Sequence, residues 1–250
     1  MKNCWAAVLG NCSEAISKEH LVSKSLFKDT ALSVQGLPWC EDKPKKIGIA
    51  SLTSKVLCVK HNNTLSEVDT AGAHAFDVLR EMRRLSNVRR ELRPKRWNVV
   101  MCTINGDLLE RWFLKTMINI TYSGAYSSSL PDQYIGKPTK ELVQIAFGHQ
   151  RFRGKSGLYA AAFVGQLLYS SDTVEFTPLL KHERHIMGAF FSFRGFRFLL
   201  SLIPEAAPKT LKGVRGLSED WANSRLLYHP EKINHKIGKH LSHVVRFSWY

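Results

Sequence analysis

Four residues in the first quarter of the chain have the types and spacing to hold a metal ion: Cys4, Cys12, Cys58 and His61. Zinc takes four sulfur or nitrogen ligands tetrahedrally, and the Cys58-x2-His61 pair lets a single turn present both donors to one ion. Cys4-x7-Cys12 is a wider loop, which can still bring two sulfurs together; the alternative is a pair of ordinary buried thiols. Between the two ligand pairs lies the dipeptide Glu19-His20, and Asn62 directly follows the last ligand. A carboxylate, an imidazole and an amide oxygen are the groups needed to hold a hard cation and to take a proton from water.

In this order the residues resemble the HNH, or ββα-metal, endonuclease family in its zinc-braced form, over about residues 4–75. In that family two zinc-binding pairs flank an acidic-His dipeptide, and a His or Asn follows the last zinc ligand at the start of a helix. The resemblance implies that His20 is the general base, with Glu19 and Asn62 as oxygen ligands of a catalytic Mg²⁺ or Mn²⁺ and Zn²⁺ as a structural ion. Phosphodiester hydrolysis explains the set, because a base must deprotonate water while a cation neutralises charge on the phosphate and leaving oxygen. Two departures stand out. Glu replaces the more frequent Asp beside the base, and the middle Asn of the motif has no obvious counterpart in Ser51-Leu52-Thr53-Ser54-Lys55, where Thr53 is nearest.

These side chains need a scaffold, and residues 1–64 are turn-rich, with Gly36-Leu37-Pro38 and Lys43-Pro44-Lys45-Lys46 marking an irregular insert. So little of this segment can form a core unaided that a metal is expected to stabilise it. From Leu65, apolar residues recur at three- and four-residue steps through Val68, Phe76, Leu79, Met82 and Leu85, which predicts a long helix to about residue 92. Ser66-Glu67-Val68-Asp69 has the form of a capping box at its start. Asn98–Ile104 reads as a strand and Asn105-Gly106 as a turn. Leu108 to Ile118 reads as a largely buried helix whose Glu110, Arg111 and Lys115 are expected to pair on its solvent side. Beyond about residue 157 the pattern is β, with strands expected over Gly157–Leu168, Thr173–Leu180, Ile186–Phe193 and Phe196–Ile203, the last two joined as a hairpin at Arg194-Gly195. The expected fold is α+β: a small zinc-braced, treble-clef-like module over 1–75, a basic connecting helix over 76–97, and a lobe over 98–250 with an antiparallel sheet that binds substrate or a partner.

Thirty-six Lys and Arg against 21 Asp and Glu give a net charge of +15, and the excess is shared by both halves of the chain. Such a surface suits a polyanion, with nucleic acid first and DNA the default. The basic run Arg80 to Arg96, including Arg83, Arg84, Arg89 and Arg90, is one candidate surface; Arg151, Arg153 and Lys155, interleaved with Phe152 near Gly148 and Gly154, form a second. The eight other histidines, His74, His149, His182, His185, His229, His235, His240 and His243, are read as surface or packing residues. The odd count of five cysteines and the lack of a secretory h-region favour a metal site in a reducing, cytoplasmic compartment over a disulfide framework. No apolar run is long enough for a membrane span. Three functions are compatible with these features: a metal-dependent endonuclease, a noncatalytic zinc-stabilised nucleic-acid-binding protein, or a nuclease subunit active only beside a protein partner in a defence or restriction complex.

Overall fold

The structure is a computed structural model that describes residues 3–27, 31–37, 39–40, 43–92, 96–123, 137–162, 173–181, 185–205, 225–239 and 241–250. Strand β1 (Ile16–His20) pairs antiparallel with β4 (Thr53–Cys58), matching Ile16 with Cys58 and His20 with Thr53, and the register shifts between Ser17 and Glu19. Helix α1 (Val59–Thr64) starts at Cys58 and packs on both strands, so the N-terminal unit is a strand pair followed by a helix laid against it. Helix α2 (Ser66–Leu92) follows after one residue. The expected capping box does not form a separate helix start, because α1 leads straight into α2, with the Asp69 amide donating to the Leu65 carbonyl at 3.2 Å.

The insert between β1 and β4 forms two strands, β2 (Ala31–Gln35) and β3 (Lys45–Gly48), and these do not stay with the N-terminal unit. Strand β2 pairs parallel with β7 (Thr173–Lys181), which places β2 and β3 at one edge of a seven-stranded sheet. The order is β10-β6-β9-β8-β7-β2-β3, with β6 Gly157–Ala162, β8 His185–Phe193, β9 Phe196–Ser201 and β10 Arg225–Tyr228. The sheet therefore joins strands from both sides of the boundary expected near residue 97. Part of the expected strand over 157–168 lies outside the described residues. The β8–β9 hairpin turns where expected, with Arg194 and Gly195 at φ values of 50° and 73°, the two positive values that a type I′ turn requires.

A smaller sheet orders β11 (Lys232–Lys236), β12 (Ser242–Ser248) and β5 (Met101–Asn105), with β12 parallel to β5. Asn105 does not sit in a hairpin turn. It caps helix α3 (Gly106–Tyr122), its side-chain oxygen accepting from the Leu108 amide at 3.0 Å. A short helix, α4 (Lys140–Ala146), packs on α3. Among the described residues no helix is long and apolar enough to cross a membrane.

Helices α2 and α3 meet in the middle of one apolar cluster that runs from Cys4 to Phe247. Phe76 of α2 stands edge-on to Trp112 of α3 at 5.5 Å, and Phe113 packs against Phe191 and Phe198 of the large sheet at 5.0 Å each. Such aromatic pairs add about 0.5–1.5 kcal/mol beyond the area they bury. Gly72 permits this approach: a Cβ there would lie 2.5 Å from the Trp112 ring. Residues 76–92 of the basic stretch thus form the later part of a helix whose inner face is core.

Candidate active site and metal centre

Each candidate metal ligand is placed by a different local device. Cys4 lies just before a 3-10 turn at Ala7–Leu9, and the Trp5 amide fastens this segment to β4 by donating to the Val56 carbonyl at 3.0 Å. Gly10 and Asn11, at φ values of 78° and 52°, turn the chain so that Cys12 comes back toward Cys4. Cys58 caps α1 by accepting the His61 amide on its sulfur, which sets His61 on the first turn beside it. The result is one cluster in which the donor atoms of Cys4, Cys12, Cys58 and His61 all lie within 4.8 Å of one another. His61 Nδ1 is 3.4, 3.7 and 3.2 Å from the sulfurs of Cys4, Cys12 and Cys58. A tetrahedral zinc with ordinary bond lengths separates a sulfur from a nitrogen ligand by about 3.5 Å. The four residues could therefore hold a metal such as zinc with little movement, as their spacing led us to expect.

The electrostatics differ from ligand to ligand, because a sulfur binds metal as the thiolate. Burial pushes the Cys4 thiol up to about 12. Burial also acts on Cys58, but hydrogen bonds from the His61 and Ser13 amides outweigh it and bring that thiol down to about 7. Burial lowers His61, which keeps its ring neutral and able to donate a lone pair. Phe147 stands edge-on over the His61 ring at 5.5 Å and shields the cluster.

His20 ends β1 with its side chain half-buried, and Thr53 lies opposite it in the register. Its carbonyl accepts from Asn119 Nδ2 at 3.4 Å, while Asn119 Oδ1 accepts from the Trp5 indole at 2.9 Å. Burial lowers the His20 pKa, against the opposing pull of the Glu19 charge, so the ring favours its neutral, proton-accepting form. Asn62 Oδ1 is a buried oxygen without a hydrogen-bond partner.

Glu19 departs from the expected arrangement. Its carboxylate is buried and lies 2.7 Å from Lys115 Nζ, which also meets Asp69 Oδ2 at 2.5 Å. Asp69 accepts from the Ser23 hydroxyl at 2.7 Å, and that hydroxyl accepts from the Trp112 indole at 2.8 Å. Among the described residues no hydrogen bond or ion pair joins Glu19, His20 and Asn62. The expectation that Glu110 and Lys115 decorate the solvent side of α3 is corrected: they are 4% and 1% exposed. Each is buried because its partner comes from a distant part of the chain. Glu110 accepts from the Leu158 amide at 2.6 Å and lies 2.7 Å from His229 Nε2. The His229 ring is stacked between Tyr228 and Trp249 at 4.1 Å from each. Separations of 119 residues for Glu110 and His229 and 96 for Glu19 and Lys115 leave no local signal for either pairing.

The basic candidates divide as well. Arg83 is corrected: it is 9% exposed, donates to the Arg194 carbonyl at 2.8 Å and lies 3.7 Å from the Phe196 ring centroid, so it forms no part of a solvent-facing surface. Arg84 is exposed and pairs with Glu81 through two hydrogen bonds, while Arg89 and Arg90 occupy the last turns of α2. Arg151 stands over the Tyr250 ring at 4.0 Å, Lys155 over Tyr228 at 5.5 Å, and Arg153 reaches Glu141 at 3.7 Å. All three are exposed. Among the remaining histidines, His243 is fully buried, with ring nitrogens 3.1 Å from the Trp97 indole and 3.0 Å from the Val100 amide. His182 and His240 lie outside the described residues. No protein-family model, curated protein or solved structure matches this chain.

Proposed function

We propose that the chain is an endonuclease of the HNH type that hydrolyses nucleic-acid phosphodiester bonds, with DNA as the default substrate and His20 as the general base. The observation that carries this reading is the position of His20: a half-buried, neutral-favouring imidazole at the end of β1, the strand paired with β4, whose last residue is the candidate ligand Cys58. In the reaction His20 takes a proton from water as the water oxygen attacks phosphorus, and the phosphorus–oxygen bond to the leaving strand breaks. Mg²⁺ or Mn²⁺, bound through Asn62 Oδ1, would supply charge neutralisation at the phosphate. The unpartnered Asn62 oxygen suits a hard cation, which keeps most of its water when bound by one or two protein oxygens. The exposed Arg151, Arg153 and Lys155 would hold the phosphate backbone by charge.

A second reading draws on the Glu19–Lys115 pair, which occupies the acidic member of the motif: a zinc-stabilised nucleic-acid-binding protein without catalysis. Plasmid cleavage with Mg²⁺ or Mn²⁺ separates the two. The parent should nick DNA, and His20→Ala should lose about 10²–10⁴ in rate with its zinc content and DNA affinity intact. Equal cleavage by a folded His20→Ala protein removes the base assignment, and no cleavage by the parent leaves the binding reading.

A further inference from the structure

We propose that Lys115 is a built-in counter-cation of this centre, holding Glu19 and Asp69 in one ion triad so that the Glu19 carboxylate is not a divalent-metal ligand. The inference deepens the nuclease reading, on which its bearing on catalysis depends. Three separate elements converge on the ammonium: Glu19 from β1, Asp69 from α2 and Lys115 itself from the middle of α3. The Lys115 and Glu19 side chains are 2% and 9% exposed and that of Asp69 is 25% exposed, so little water screens the Glu19–Lys115 contact, and removing the ammonium would leave the buried Glu19 carboxylate without its counter-charge. A divalent ion on Glu19 would have to displace that ammonium, leaving a buried positive charge beside the ion.

The partners of Lys115 are fixed on both sides. Asp69 receives the Ser23 hydroxyl, Ser23 in turn receives the Trp112 indole, and Trp112 lies one helical turn before Lys115. Asn119, one turn after Lys115, donates to the His20 carbonyl. One face of α3 thus grips the segment from Glu19 to Ser23 through Trp112, Lys115 and Asn119, which makes Lys115 a positioning residue for the strand end that carries His20. What a cation would supply between two carboxylates is here supplied by a side chain of the same fold.

Mn²⁺ uptake by the zinc-loaded protein, followed by paramagnetic resonance of the free ion, tests this without any cleavage assay. Wild type and Glu19→Gln should take up the same number of Mn²⁺ ions. Lys115→Ala, which clears the space between two carboxylates and the Ser23 hydroxyl, should gain one Mn²⁺ per chain and show a Mn²⁺-dependent rise in melting temperature. Both gains should vanish in Lys115→Ala/Glu19→Gln. Loss of a wild-type Mn²⁺ ion in Glu19→Gln would overturn the proposal, as would a folded Lys115→Ala protein that gains none. If Lys115→Ala does not fold even with Mn²⁺, the comparison of wild type with Glu19→Gln decides alone: equal uptake supports the proposal and unequal uptake overturns it. Failure of the nuclease reading would show instead in the His20→Ala cleavage comparison and would leave these stoichiometries unchanged.

Discussion

His20 and Thr53 stand opposite one another in the β1–β4 pair, so the strand position facing the proposed base carries a short hydroxyl side chain. The Thr53 hydroxyl is turned back to the Ala50 carbonyl at 3.1 Å, where it braces the preceding turn. A longer amide at this position could both brace the turn and reach across the strands. Thr53→Asn is expected to raise plasmid nicking by up to about tenfold, equivalent to about 1.4 kcal/mol of barrier. Thr53→Ala should lower it by a smaller factor. Initial rates for the two variants at saturating Mg²⁺ check this, and a lower rate for Thr53→Asn than for the parent refutes it.

Removing one metal ligand should cost stability as well as metal. Cys58→Ser is expected to lose zinc by elemental analysis and to lower the melting temperature sharply, because metal-binding free energy in such a site is also folding free energy. A strong chelator should reproduce the loss in the parent and have no further effect on the variant. The same unfolding curve for parent and Cys58→Ser would show that the sulfur cluster is only buried packing.

Acid should destabilise the fold through His235. Burial, with Arg83 and His243 acting in the same direction, lowers this imidazole to about 4, against an ordinary value of about 6.5 in the unfolded chain. Between those values the unfolded chain binds the proton and the folded one does not. The stability is therefore fully present above about pH 6.5 and is lost as pH falls toward 4, at up to about 1.4 kcal/mol per pH unit. An ion bound by the Cys4, Cys12, Cys58 and His61 cluster would also be released in acid, so the measurement is a comparison. Urea midpoints between pH 4.5 and pH 8 should fall less steeply for His235→Leu than for the parent, and parallel slopes would exclude His235 as a cause.

The two groups of basic residues should respond differently to substitution. Arg151, Arg153 and Lys155 changed together to Gln should weaken binding to DNA of any sequence and reduce the salt slope of log affinity by about 0.9 for each phosphate that is no longer neutralised. Arg83→Gln should leave that slope unchanged and lower the melting temperature, because the buried guanidinium donates to the Arg194 carbonyl and packs on Phe196. Arg84 is held by Glu81 on the helix surface, an exposed pair that adds little to folding. Fluorescence titrations at several salt concentrations distinguish these cases.

The sequence by itself determined whatever depends on near neighbours. The long helix through Phe76 follows from apolar steps of three and four residues, the β8–β9 turn from Arg194-Gly195, and the Cys58–His61 pair from two donors on one turn. The partnership of Cys4 and Cys12 with that pair was legible only as one of two readings, the other being ordinary buried thiols, and the tertiary structure brings the four side chains together. Periodicity could not show that β2 and β3 leave their own module to extend the large sheet, since strand pairing joins residues more than a hundred positions apart without a local trace. The fates of the charged residues on α3 were settled the same way. Spacing along the helix places Glu110 and Lys115 among surface residues, and only the tertiary structure brings His229 to the one and Glu19 with Asp69 to the other. A charge can be buried when its counter-charge arrives with it, and which counter-charge arrives is decided by how helices and sheets pack, a long-range outcome absent from any short stretch of sequence.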